Sequence, residues 1–446
     1  MSEPSGESAT MRYIRAARVV TASARGTIQD GVVVVDGSRI SAVGPAADLV
    51  GHVPASAVES FPDATLLPGL IDAHAHLTLA GDRRTYEQMV LDPDEMMALV
   101  SVRNLQRHLA CGVTTLRDNG GRNRVTFIVR EAITRGYFVG PRLLLSGRPV
   151  THRYGHFYWC NGVADGLEAI RATVRQLVAE GADHIKIMAS GGATAGNIPY
   201  YASYGADELR AAVETAHGLG RLTTAHCRAK QSMINALDAG LDCIEHAEFL
   251  VPGPIVAYGG GVSPSGIMEY DERLTERLLR QSTFVSYTFQ AGGYDTLVEL
   301  RAKQSHDRLT RNEATRKDAL ERYYETKLGI FSRLLDDGMR PLLVVSSDAG
   351  PFDCEFGRMH YGMELAVLAG MSPLQAIEAA TSLAARACGV AELTGTVEPG
   401  KEADLLVVRG NALDDIRRMA DVAAVYKGGL KVGILPPHAL LSSPAR

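Results

Sequence analysis

The chain has 446 residues, 22% of them charged and 46% hydrophobic, with 51 acidic and 46 basic side chains giving a formal net charge of -5. These globular proportions exclude a disordered, collagenous or coiled-coil chain. Interspersed charges with a slight acidic excess leave no electrostatic footprint for nucleic acid. The 13 histidines fit either scatter or a metal site, because imidazole is the commonest metal ligand near neutral pH.

Residues Met1 to Thr10 are Ser-rich and acidic without an apolar core, so they read as a disordered tail and not as a signal peptide. From Met11 the chain reads as short strands, Tyr13–Thr21, Gly31–Val35 and Arg39–Val43, with turns at Asp30-Gly31 and Asp36-Gly37. From Leu66 onward, short apolar runs alternate with helical patterns, the signature of βα units around a parallel sheet. The runs are Leu66–Leu77, Thr114–Asp118, Arg142–Ser146, His184–Ala189, Leu222–His226, Cys243–His246, Thr283–Tyr287 and Leu342–Ser347. Eight such units are what a (β/α)8 TIM-like barrel needs.

Helical patterns between them include Leu167–Glu180, Ala206–Leu219, Lys230–Ala239 and a long charged segment, Leu297–Asp337. That segment reads as a solvated helix or helical hairpin that could present an oligomer surface, and the chain is expected to form a homo-oligomer. The uncharged, Gly- and Pro-rich stretch Phe249–Met268 reads as a loop and not a membrane span, either a lid or plain surface. After the helix Pro373–Cys388, β character returns at Ala403–Val408 and Val422–Lys427. The reading is an α/β chain with two domains. A barrel spans 67–389, and a small discontinuous β-sandwich is built from 11–66 and 390–435. The cysteines at 111, 160, 227, 243, 354 and 388 form no C-x-x-C pair, which suits a reducing, cytoplasmic setting without a membrane partner.

The first barrel run ends Asp72-Ala-His-Ala-His76. Strand alternation puts His74 and His76 on one side, where two imidazoles can take two positions on one metal ion. A pair of satisfied histidines is the plain alternative. The fourth run, His184-Ile-Lys-Ile-Met-Ala-Ser-Gly-Gly192, places Lys186 in an apolar strand. A buried ammonium is costly, so Lys186 is either salt-bridged or neutralised by chemistry or a metal. His184 shares its parity and reads as a lower-layer core residue. His226, His246 and Asp348 end the fifth, sixth and eighth runs. All of these fall where active sites of this fold sit.

That set resembles the amidohydrolase superfamily across nearly the whole chain, including Leu67-Pro-Gly-Leu-Ile-Asp72 and Gly395-Thr-Val-Glu-Pro-Gly-Lys-Glu-Ala-Asp-Leu405. The stretch around Lys186, Ala225-His226-Cys227 and Ile244-Glu-His246 resemble the Xaa-Pro dipeptidase (prolidase) and imidazolonepropionase-like branch. The resemblance implies two divalent ions. His74, His76 and Asp348 would hold the more buried one, His226 and His246 the second, and Lys186, carboxylated by CO2, would bridge both. Ions about 3.5–4 Å apart share a water and activate it as hydroxide. Zinc is the first choice for mixed His/carboxylate ligands, with Mn, Co or Fe open. The implied activity is hydrolysis of a peptide-like or N-acyl amide of a small molecule, a dipeptide with a C-terminal carboxylate being one such substrate. Asp348 would carry the proton from water to the leaving amine.

Alternatives are a cyclic amide, carbamate or xenobiotic amide on the same site, a mononuclear deaminase, and a barrel that has lost its chemistry. In the resembling branch a histidine of the third-strand loop polarises the carbonyl, which favours His156 over His152. Arg228 and Arg153 are candidate forks for a substrate carboxylate. Tyr154, Tyr200, Tyr201 and Tyr287 are candidate pocket walls.

Overall fold

The computed structural model describes residues 11–253, 255–258, 261–264 and 266–433. The tail 1–10 therefore lies outside the described residues. Four strands open the chain: β1 (Arg12–Val20), β2 (Thr27–Asp36), β3 (Arg39–Pro45) and β4 (Val58–Pro68). The parallel core strands then begin with β5 (Leu70–Ala75), β6 (Val113–Asp118), β7 (Arg142–Leu145), β8 (His184–Met188), β9 (Leu222–Ala229) and β10 (Cys243–Val251). An antiparallel hairpin, β11 (Ile255–Tyr258) with β12 (Gly261–Pro264), and the short β13 (Ile267–Met268) follow. The series closes with β14 (Phe284–Thr288), β15 (Leu343–Ser346), β16 (Leu405–Arg409), β17 (Val422–Lys427) and β18 (Leu430–Lys431).

The first and last strands combine into one continuous seven-stranded sheet, β18-β17-β16-β4-β1-β2-β3. Leu405 on β16 pairs with Pro68 on β4, so segments more than three hundred residues apart share one ladder. Alternation in β1 buries Ile14 and Ala16, which join Val33, Leu66, Leu405 and Val407 in an apolar layer. The N- and C-terminal pieces thus meet in a single hydrogen-bonded sheet where two stacked sheets were expected. Neither piece has enough strands to stand alone.

The core strands make two parallel arrays, β5-β6-β7 and β8-β9-β10-β14-β15, with the short β13 added antiparallel to β10. Parallel bridges Val150–Ile187 and Ala75–Ala349 link the edges of these two sheets. Helices cover the strands through apolar stripes; in Leu167–Ala179, for example, Ile170, Val174 and Leu177 are buried. The result is a TIM-barrel-like α/β fold beside a β-rich domain. The charged segment resolves into two helices, Tyr294–Gln304 and Arg311–Asp336. The break comes from a local capping box, in which Thr310 accepts from Glu313 N and Glu313 from Thr310 N. The stretch Phe249–Met268 is more regular than a loop, since it carries the end of β10, the hairpin and β13. Among the described residues no helix is long and apolar enough to cross a membrane.

Candidate metal centre

Every chemically active side chain here sits at the same end of the parallel strands, where chain irregularities aim it. Asp348 takes a left-handed backbone at φ +58°, and its N–H donates to His74 O at 2.7 Å. His246 and Ala247 have φ +70° and +48°, and the β9–β10 register breaks between His246 and Leu250. Such bulges at strand ends re-aim side chains next to active sites. His74 Nε2 lies 3.3 Å from His76 Nε2. Asp348 Oδ1 stands 3.4 Å from both nitrogens. His226 Nδ1 lies 2.8 Å from His246 Nε2, and the His74 and His246 rings are 4.9 Å apart by centroid. Four imidazoles and one carboxylate therefore form one buried cluster.

The outer nitrogens define the tautomers. His76 Nδ1 faces the Gly120 carbonyl at 3.2 Å, and His226 Nε2 faces the Gly191 carbonyl at 3.2 Å. His246 Nδ1 meets Thr288 Oγ1 at 2.7 Å, and His74 Nδ1 meets Glu245 Oε2 at 2.7 Å. A carbonyl only accepts, so the protons of His76 and His226 sit on these outer atoms, while His74 and Glu245 make a close ion-pair contact. The inner ring nitrogens converge on one another and, for His74 and His76, on the Asp348 carboxylate. Electron-rich atoms that converge in this way are satisfied by a cation, and the residues fit a divalent metal. Burial, reinforced by neighbouring positive charge, holds His74, His226 and His246 below the ordinary histidine range, in the neutral form that ligates metal.

Lys186 is fully buried, and among the described residues its Nζ has no hydrogen-bond partner. Burial pulls its pKa down, against the opposing pull of Glu245 and Asp348. The two glycines after this strand have a geometric reason. A Cβ at Gly192 would come within 2.6 Å of the His156 ring, so only glycine lets that histidine reach the cluster. His156 is buried, and its ring centroid lies 4.6 Å from that of His226. Phe157 N–H donates to Thr194 Oγ1, and the hydroxyl lies 2.8 Å from His156 Nδ1.

The remaining expected contacts divide. Arg228 lies partly buried beside the cluster, with its Nε donating to Glu248 Oε2 at 2.7 Å. Arg153 is 73% exposed and faces Asp165, Tyr154 is an exposed rim residue, and His152 turns back onto the Arg153 carbonyl. Tyr201 is exposed at the rim and meets Tyr200 edge to face, while its carbonyl accepts from Gly191 N. Tyr287 is corrected: it is fully buried on the helix-facing side of β14, donating to Lys327 O and packing on Phe289 and Phe331. Strand alternation explains this, since its neighbours Ser286 and Thr288 take the opposite face. His184 is a buried lower-layer residue, with Nε2 3.0 Å from Asn119 Oδ1.

Three supporting groups escaped the sequence reading. Glu245, fully buried, contacts His74 and accepts from Arg117, Asn119 and Thr224. Asp72 accepts from Ser347 and faces His108 Nε2 at 3.0 Å, tying β5 to the end of β15. Tyr86 packs its buried ring 5.8 Å from that of His156. A signal existed for Glu245: a carboxylate inside the apolar run Cys243–His246 obeys the same desolvation logic as Lys186.

The amidohydrolase family matches residues 65–432, and these span all of the cluster. The chain belongs to this family. It is 26% identical over 436 residues to ochratoxinase of Aspergillus niger, covering 90% of this chain and 82% of that protein. The crystal structure of the A. niger ochratoxinase superposes with TM-score 0.74 at 25% identity, covering 95% of this chain and 96% of that one. A Xaa-Pro dipeptidase structure with bound methionine in its active site gives TM-score 0.77 at 24% identity, covering 95% and 100%. An imidazolonepropionase of Erwinia tasmaniensis is 22% identical over 419 residues, 85% of this chain and 87% of its own. As an amidohydrolase, the protein is a metal-binding hydrolase acting on C–N bonds.

Proposed function

We propose that this amidohydrolase is a binuclear enzyme cleaving an N-acyl or peptide-like amide whose leaving portion bears a carboxylate. The observation that carries this is the convergence of four imidazoles and Asp348 beside a fully buried lysine that has no hydrogen-bond partner among the described residues. His74, His76 and Asp348 would hold one ion and His226 and His246 the other. Lys186, carboxylated by CO2, would serve both, which turns a costly buried cation into an oxygen ligand. Zinc suits this ligand mixture best. The reading also takes the two parallel sheets as one closed eight-stranded barrel.

Divalent ions bound there would polarise a carbonyl and lower the pKa of water. The residues of the chain do the rest. Asp348, at the mouth, accepts the proton of the attacking water and returns it to the leaving nitrogen. The Thr194 hydroxyl, already accepting from Phe157 N–H, points its own proton at His156 Nδ1. His156 Nε2–H then donates to the substrate carbonyl oxygen. Arg228, steadied by Glu248, offers its guanidinium to the substrate carboxylate. Tyr201 contacts the substrate from the rim.

Metal analysis combined with a screen of dipeptides, N-acyl amino acids, lactams and carbamates tests the proposal. The expected result is about two divalent ions per chain, with the fastest turnover on carboxylate-bearing amides. Fewer than about one ion per chain in carefully prepared protein overturns the binuclear reading. A clear preference for lactams or carbamates overturns the substrate class.

A further inference from the structure

The ring nitrogens that point away from the cluster are not held alike. His76 and His226 rest on backbone carbonyls and His246 on the Thr288 hydroxyl, all neutral groups. Among the described residues His74 has the closest carboxylate, Glu245 Oε2 at 2.7 Å, whereas the nearest to His246 Nδ1 is Asp348 Oδ2 at 3.9 Å. Oxygen Oε1 of Glu245 accepts from Arg117 Nη2 at 3.0 Å, from Asn119 Nδ2 at 3.0 Å and from the Thr224 hydroxyl. Arg117 is itself immobilised, donating to the Ala73 and Ala387 carbonyls and to Cys243 Sγ. Asn119 is oriented by His184 on its other side. The carboxylate thus ties β5, β6 and β9 to its own β10 with no exposure to water.

From this geometry we infer that Glu245 is a positioning residue whose buried charge against His74 makes the His74/His76/Asp348 position the tighter of the two metal sites. A buried negative charge 2.7 Å from Nδ1 stabilises positive charge on the ring and on an ion held by Nε2, the atom that faces the cluster. Partners of this kind are worth about 10–100-fold in metal affinity. A neutral carbonyl or hydroxyl polarises its ring less, so the His226/His246 position releases its ion first. This inference rests on the metal-centre reading above.

Zinc binding to the metal-stripped full chain, followed by competition with a chromogenic chelator, tests it separately from catalysis. The wild type should show a tight and a weaker phase. Glu245→Gln, which keeps the shape and loses the charge, should weaken the tight phase by about 10–100-fold and leave the weaker phase within a few-fold. Glu245→Asp keeps a counter-charge for Arg117 while drawing the oxygen back from His74. It should show the same loss and covers the case in which the glutamine variant does not fold. Thermal melting of the metal-free variants supplies the second readout. If both variants lower the melting temperature but keep wild-type zinc affinity, Glu245 is only a structural brace and the inference falls. A wild type that binds no zinc would instead overturn the metal-centre reading itself.

Discussion

Behind the seven-stranded sheet, Ile14, Val19, Val33, Leu66, Leu405 and Val407 pack as one apolar layer. The eight parallel strands and their ends carry the buried polar groups Asp72, His74, Asp118, His184, Lys186, Glu245 and His246. In the first region stability is proportional to apolar area removed from water. In the second, each polar group carries a desolvation cost that only a well-placed partner offsets. The sheet domain therefore behaves as a scaffold whose residues trade for others of similar volume. The barrel-like interior retains costly groups, which marks it as the place where chemistry is done.

Substitutions that separate activity from stability can break or sharpen this contrast. The largest expected effect is Lys186→Ala, which should drop hydrolysis to background and reduce bound metal, with partial rescue by short-chain carboxylic acids. Unchanged metal content measured on the purified variant would count against a ligand role. Asp348→Asn should lower kcat by about 10²–10⁴-fold, the usual share of a general acid–base group. Steady-state kinetics showing full activity would falsify its proton-transfer role. Arg228→Met should cost about 1.5–3 kcal/mol in kcat/KM for carboxylate-bearing amides, roughly 10–100-fold, and spare uncharged analogues. An equal loss on both substrate types would assign Arg228 to holding Glu248 in place. The smallest effect belongs to the sheet. Ile14→Val should cost about 0.5–1.5 kcal/mol of stability in a denaturant titration while activity per folded molecule stays at the wild-type level.

The legibility of the two regions differs for a physical reason. The sheet's strands announced themselves through alternation and Asp-Gly turns, yet their union in one ladder depends on β16 meeting β4 across the chain. Strand-end residues were legible because alternation and strand order already place them at one mouth, as with His74, His76, Lys186, His226, His246 and Asp348. Arg153 and Arg228 looked equivalent as sequence, since both are arginines two residues from a histidine or near one. Only the fold shows one facing Asp165 in solvent and the other tucked against Glu248. Tyr287 alternates with Ser286 and Thr288 on β14, so its ring turns to the helices and not to the centre.

By itself, the sequence determined the residue types of the centre, their order along the strands and the family that the chain joins. Those properties are local, and periodicity two is enough to express them. The tertiary structure decided which nitrogen of each histidine points inward, that Lys186 has no hydrogen-bond partner among the described residues, and that Glu245 underpins His74. Each of these depends on groups from different strands brought within hydrogen-bonding reach, and a one-dimensional pattern holds no such distances.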